Sequence, residues 1–349
     1  MPATRALVTG RGRFLADLPA PGALHAVFVR SPHPRGRLLS LDCDAARAMP
    51  GVVVLTASEL APSMPAVNRF GQHPAVPLSQ PMACDRIDWP GQALALVLAD
   101  EPALAEAAAE QIAFDIDADE SAEGPVGSQA GLALAQDGEI IRWHLCAGSE
   151  PAPGEVRQVS LTMIQPRVAA VALEARGLLA GIDEQGRLDV WVPTQSPARA
   201  RDDIAHALGL QAAQVRVRVP DVGGAFGSKA SLGPDELLVA AAAWRERRTV
   251  RWLASRSDEF LAGVHGRGGR WQAVLQSDRD GALRYLRADL CFPVGGWLPY
   301  SALVPARNAA RILPGPYRLA GSEVHARVQA EPRAAVNIYL APVVPRPRC

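Results

Sequence analysis

Residues 221–230 read DVGGAFGSKA and combine three glycines, one aromatic ring and the only lysine of the chain, Lys229. The stretch follows the strand-like QVRVRVPDV and precedes GPDELLVAAAAWRER, whose Pro234, Asp235 and Glu236 mark a helix start. A glycine loop between a strand and a helix can aim several backbone N–H groups at one anion or oxo group. Two familiar chemistries fail on spacing. A P-loop needs Gly-Lys-Ser/Thr, but Ser228 separates Gly227 from Lys229 and Ala230 follows. The dinucleotide fingerprint GxGxxG lacks its first glycine, because Val222 stands there. Cys43, Cys84, Cys146, Cys291 and Cys349 are far apart with no CxxC pair, and the seven histidines show no HExxH spacing. The cysteines are therefore expected to be small buried hydrophobes, and no iron–sulfur or zinc site is expected in the chain.

The elements that position this loop are read from periodicity. GALHAVFVRS and GRLLSLDC are strand patterns separated by PHP, DAARAMPG is a short helix stopped by Pro50 and Gly51, and VVVLT is a buried strand. QALALVLAD, EPALAEAAAEQI and AFDIDAD follow as strand, helix and strand, with Pro102 at the helix start. Residues 120–154 lose periodicity among Gly, Ser, Glu and Pro and are the expected linker. RQVSLTMI opens a second domain, and GLLAGIDEQGRLDVWVPTQ forms a hairpin about Gln185-Gly186. SPARARDDIAHALGL supplies a helix, with Ser196 expected as the capping acceptor and Pro197 at its first position.

With 349 residues, 48% hydrophobic, the chain has ample material for buried cores. Its 36 basic and 36 acidic residues balance, which argues against nucleic acid or an anionic membrane as partner and favours a small molecule. The apolar run LLVAAAAW is too short to span a bilayer, and the cysteine pattern favours the reducing cytoplasm.

Five motifs in order, VTGRGRFLADLPAPGALHAVFVRSPHPRGRLLSLD, DRIDWPGQALALVLAD, WVPTQSP, VRVPDVGGAFGSK and ILPGPYRL, resemble the molybdopterin-binding large subunit of the xanthine dehydrogenase, aldehyde oxidase and carbon monoxide dehydrogenase family. The resemblance covers about residues 7–119 and 155–342. It implies an α+β fold: an α/β-hammerhead domain over 1–119, the linker over 120–154, and the first part of a molybdenum-cofactor-binding domain over 155–342. It places Gln195 beside an oxo ligand of molybdenum, where an amide donor binds without adding charge. It places Gly223, Gly224, Ala225, Phe226 and Gly227 against the metal centre and its pterin dithiolene, with Phe226 as an apolar wall and backbone strain expected if Ala225 has positive φ. Lys229 matches a basic position after the loop, and Glu174 and Arg176 match a segment bordering the site. No protein ligand to the metal is expected here, since the dithiolene supplies the soft donors.

The activity implied is oxidative hydroxylation of an aldehyde or N-heterocycle, with electrons leaving through a 2Fe-2S subunit and an FAD subunit. The general-base Glu of the family lies in a later segment, so no catalytic residue is expected within these 349 residues and a carboxyl-terminal half is an expected partner. After AAVNIYLAP the family continues with Tyr-Arg-Gly-x-Gly, whereas this chain reads VVPRPRC. Val344 to Cys349 admit codons whose second frame spells Tyr-Arg-Gly-Arg-Gly, so residues 343–349 are read as an atypical tail arising from a frame shift near Val343. Two alternatives stand beside the split or truncated hydroxylase: a non-catalytic relic or binding and assembly module that keeps the fold, and an unrelated phosphate-binding α/β enzyme.

Overall fold

The computed structural model describes residues 2–64, 67, 70, 79–119, 139–151 and 157–339. Residues 120–138 of the expected linker, Cys349 and the expected frame-shifted tail lie outside the described residues.

The first region carries α1 (Pro2–Val8), β1 (Leu24–Arg30), β2 (Gly36–Asp42), α2 (Asp44–Arg47), β3 (Val52–Leu55), β4 (Arg86–Ile87), β5 (Ala93–Ala99), α3 (Pro102–Glu110) and β6 (Ala113–Ala118). The second carries β7 (Glu139–Gly148), β8 (Arg157–Ala169), β9 (Gly177–Ile182), β10 (Leu188–Trp191), α4 (Pro197–Leu208), β11 (Val215–Arg218), α5 (Pro234–Glu246), β12 (Val250–Leu253), α6 (Arg256–Leu261), β13 (His265–Ser277), β14 (Leu283–Val294), α7 (Val304–Ile312) and β15 (Gly321–Ala330).

Strands from both regions build one seven-stranded sheet, ordered β11-β10-β9-β12-β1-β5-β3. The junction is the parallel pair β1–β12, with Leu24 opposite Val250. β5 is ALALVLA with all seven residues buried, as expected of a strand covered on both faces. One face of the sheet packs into a core shared with α4 and α5, through Leu24, Leu96, Leu98, Leu178, Ile204 and Leu238. The other face, through Val29, Val97 and Ala99, packs on α3. A three-stranded sheet, β4-β2-β6, flanks the first region.

The linker expectation is corrected over residues 139–148. These form β7, antiparallel to β15 from Glu139 opposite Gln329 to Gly148 opposite Gly321, in the sheet β7-β15-β14-β13-β8. Trp143 and Leu145 join the core while Arg142, His144 and Cys146 are exposed, so the strand alternates in the usual way. Ser196 is also corrected: it starts α4, but its side chain makes no capping bond, and its own amide donates to Thr194 Oγ1 at 3.1 Å.

Candidate functional site

Gln195 and the glycine loop are brought together through one carbonyl. The Lys229 oxygen accepts from the Gln195 amide at 3.0 Å and from Thr194 Oγ1 at 3.1 Å. The β10 strand end is thereby tied to the far end of the loop, and the Gln195 side chain stands exposed.

Glu174 holds the near end. Its Oε2 accepts from the Gly223 amide at 2.8 Å and from Lys229 Nζ at 2.9 Å, and its Oε1 accepts from the Leu15 amide at 3.2 Å. Lys229 Nζ also donates to the Glu174 carbonyl at 2.9 Å, and the lysine is buried. The single lysine is thus a structural strut of the loop. Arg13 and Asp221 pair reciprocally, Arg13 N donating to Asp221 Oδ2 at 2.8 Å and Asp221 N to the Arg13 carbonyl at 2.9 Å. The amino-terminal motif therefore closes on the loop 208 residues away.

Close approach explains two of the glycines. A Cβ at Gly223 would stand 2.5 Å from Glu174 Cβ, and one at Gly227, where φ is +94°, would strike the Ile338 carbonyl. The strain expected at Ala225 falls instead on Phe226, which has φ +51°, while Ala225 does not have positive φ. Phe226 is 46% exposed, and Leu173 and Val222 are exposed as well. The amides of Gly224, Ala225, Phe226 and Gly227 have no acceptor among the described residues, although those of Gly223, Ser228 and Ala230 do. Four unpartnered donors in sequence, an exposed amide side chain and an apolar ring suit an oxo-bearing pterin cofactor.

Behind the loop lies a buried ionic network that spacing could not reveal. Arg176 contacts Asp235 at 3.1 Å, Glu236 at 3.3 Å and Glu259 at 2.9 Å. Arg30 on β1 contacts Asp235 at 3.1 Å and Asp258 at 2.5 Å. Burial disfavours the Arg176 charge, but the three carboxylates outweigh it and raise its pKa. Burial pushes the Glu236 carboxyl up, against the pull of Arg176. Asp235 and Glu236 read in sequence as first-turn acids of α5; their partners lie 59–60 residues away at Arg176 and, for Asp235, 205 away at Arg30. No single-sequence signal pairs them.

The expectation of buried cysteines holds for Cys43 but is corrected for Cys84 and Cys146, which are exposed, and Cys291, which is half-buried. Short spacings cannot report burial on a strand face. Trp297 is a packing residue, 2% exposed, and Tyr300 stacks under Arg199 at 3.7 Å. No helix among the described residues is long and apolar enough to cross a membrane.

Residues 148–345 match the molybdopterin cofactor-binding domain model, and residues 9–119 match that of the aldehyde oxidase and xanthine dehydrogenase a/b hammerhead domain. The nicotine 6-hydroxylase large subunit of Paenarthrobacter nicotinovorans is 32% identical over 269 residues, 74% of this chain and 33% of that one. The carbon monoxide dehydrogenase large chain of Hydrogenophaga pseudoflava is 28% identical over 314 residues, 81% of this chain and 38% of that one. The crystal structure of quinoline 2-oxidoreductase from Pseudomonas putida 86 matches with a TM-score of 0.86 at 28% identity, over 96% of this chain and 44% of that chain. The matched region spans 33–44% of the length of these relatives. The hammerhead region and the cofactor-binding region after it are those of one family, and the chain belongs to it: the molybdopterin-binding large subunits of the xanthine dehydrogenase, aldehyde oxidase and carbon monoxide dehydrogenase type.

Proposed function

We propose that this chain is the cofactor-facing amino-terminal portion of a cytoplasmic molybdenum hydroxylase that oxidises an aldehyde or N-heterocycle once a carboxyl-terminal half completes the pocket. The observation that carries this reading is the run of amides at Gly224–Gly227 without an acceptor among the described residues, tied to Gln195 through the Lys229 carbonyl. When bound, the molybdenum–pterin cofactor supplies the redox chemistry. The protein's part is positioning. Gln195 offers an uncharged amide N–H to an oxo group, the amides at Gly224, Ala225, Phe226 and Gly227 receive further electronegative atoms, and the Phe226 ring excludes water from one side. Lys229 and Glu174 hold the loop and do not reach substrate, since each is engaged with the other.

Among the described residues the carboxylates around the loop are engaged in holding it, Asp221 accepting from the Arg13 amide. Glu174 already accepts from three donors, and Glu236 and Glu259 are engaged by Arg176. By the family resemblance the general base is supplied by the carboxyl-terminal half, and electrons pass to 2Fe-2S and FAD subunits. The test is co-expression with a candidate second half in a host that makes the cofactor, followed by metal analysis and pterin fluorescence. Stoichiometric molybdenum and pterin, reduced by Gln195→Ala, are expected. A folded complex that retains neither would overturn the reading and leave a non-catalytic module.

A further inference from the structure

On the polar face of the second sheet, β7 and β15 bring together four side chains that bind soft or borderline metals. In the antiparallel register His144 stands opposite His325, and Cys146 stands opposite Glu323. The imidazole rings are stacked, 4.1 Å apart and 12° from parallel. Glu323 Oε1 lies 3.2 Å from His144 Nε2 and 3.0 Å from His325 Nε2, and Cys146 Sγ lies 3.0 Å from His144 Nε2. One donor atom from each of His144, Glu323 and His325 lies within 4.8 Å of the other two.

Two observations favour an ion over a plain hydrogen-bonded cluster. Nitrogen and oxygen ligands held about 2.0–2.1 Å from a tetrahedral zinc stand about 3.3–3.4 Å apart, close to the separations found here. Protons also serve the cluster poorly. His144 Nε2 faces a carboxylate oxygen and a sulfur at once; as N–H it must split one hydrogen between them, and as a bare lone pair it repels the carboxylate. A cation satisfies all of these lone pairs together once it draws the two imidazoles out of their parallel stack so that both Nε2 lone pairs converge on it. Arg287 approaches only the other carboxylate oxygen, Oε2, at 3.7 Å and leaves Oε1 to the imidazoles. The cluster is also open to solvent, His144 being exposed and Glu323 and His325 half-buried, so an ion can enter.

We propose that His144, Glu323 and His325, with Cys146 as fourth donor, form a zinc site on this sheet, separate from the glycine loop. Two imidazoles, a carboxylate and a thiolate are a borderline donor set that suits Zn²⁺ and does not suit Mg²⁺ or Ca²⁺. The site clamps β7 to β15 and so pins the strand that enters the second sheet.

The test is titration of the metal-stripped full chain with Zn²⁺ against a chromophoric chelator and with Co²⁺ by absorption. Expected are one saturable equivalent, tetrahedral Co²⁺ bands in the visible, and a thiolate charge-transfer band that Cys146→Ser removes. His144→Gln with His325→Gln should weaken binding by more than about tenfold and abolish the zinc-induced rise in melting temperature. Glu323→Gln, nearly isosteric, serves as the second variant if the double one fails to fold. Absence of a saturable equivalent, or unchanged affinity in the folded variants, would overturn the site. A Co²⁺ spectrum lacking the charge-transfer band would overturn the thiolate donor.

Discussion

Three residues show how burial and backbone, rather than residue type, assign roles. Lys229 is buried against Glu174, so Lys229→Met leaves a carboxylate without its cation; a loss of about 3 kcal/mol in urea unfolding is expected. Phe226 holds φ +51° while nearly half exposed. Phe226→Gly should therefore be about 1 kcal/mol more stable than Phe226→Ala, because only the former relieves the left-handed backbone. Both should retain less pterin than the wild type. Asp203 on α4 is 1% exposed, with Oδ2 unpartnered among the described residues, and burial lifts its pKa to about 7. An unfolded Asp titrates near about 3.9, so the folded form binds the extra proton and stability falls as pH rises from about 4 to about 7. Asp203→Asn should abolish that slope and add on the order of 3 kcal/mol at pH 8, with little gain near pH 4. A melting-temperature profile that stays parallel to the wild type would contradict this. At this scale the glycine loop stands out by residue type, whereas the role given to Gln195 rests on the family resemblance. Asp203 was not legible, since an Asp inside an amphipathic helix reads as solvated until the fold buries it.

At the scale of elements, two helix starts with the same residue type differ. Ser255 caps α6 in a reciprocal box, accepting from Asp258 N at 3.0 Å while its own amide donates to Asp258 Oδ2 at 2.9 Å. Ser196 begins α4 without such a bond. Ser255→Ala should cost about 1 kcal/mol and Ser196→Ala less than about 0.5 kcal/mol, compared by denaturant midpoints. The strands and helices of the first region were readable because each carries a clear period between Gly or Pro breaks. β7 was not, although Trp143 and Leu145 alternate with Arg142, His144 and Cys146. Its flanks are rich in Gly, Ser and Pro, and the partner that orders it, β15, lies about 180 residues on.

For the whole molecule, the outer edge strand β8 carries Val159 at 68%, Ile164 at 74%, and exposed Leu161 and Met163. Exposed apolar edges pair with other chains, so the isolated chain is expected to self-associate in light scattering. Val159→Thr, Leu161→Thr and Met163→Thr together should suppress this, as should a carboxyl-terminal half. A monodisperse wild-type monomer would count against the surface. The two sequence regions also prove inseparable in space, because β1 pairs with β12 and Arg30 meets Asp235 and Asp258. By itself the sequence determined the period of most elements, the glycine loop between a strand and a helix, and the family those motifs belong to, because each rests on local residue types and short spacings. Only the tertiary structure decided that Lys229 is a strut, that Phe226 takes the strain, that β7 is a strand and that His144 meets Glu323 and His325. These depend on contacts between residues as much as 190 positions apart, and a contact of that range is set by how whole elements pack.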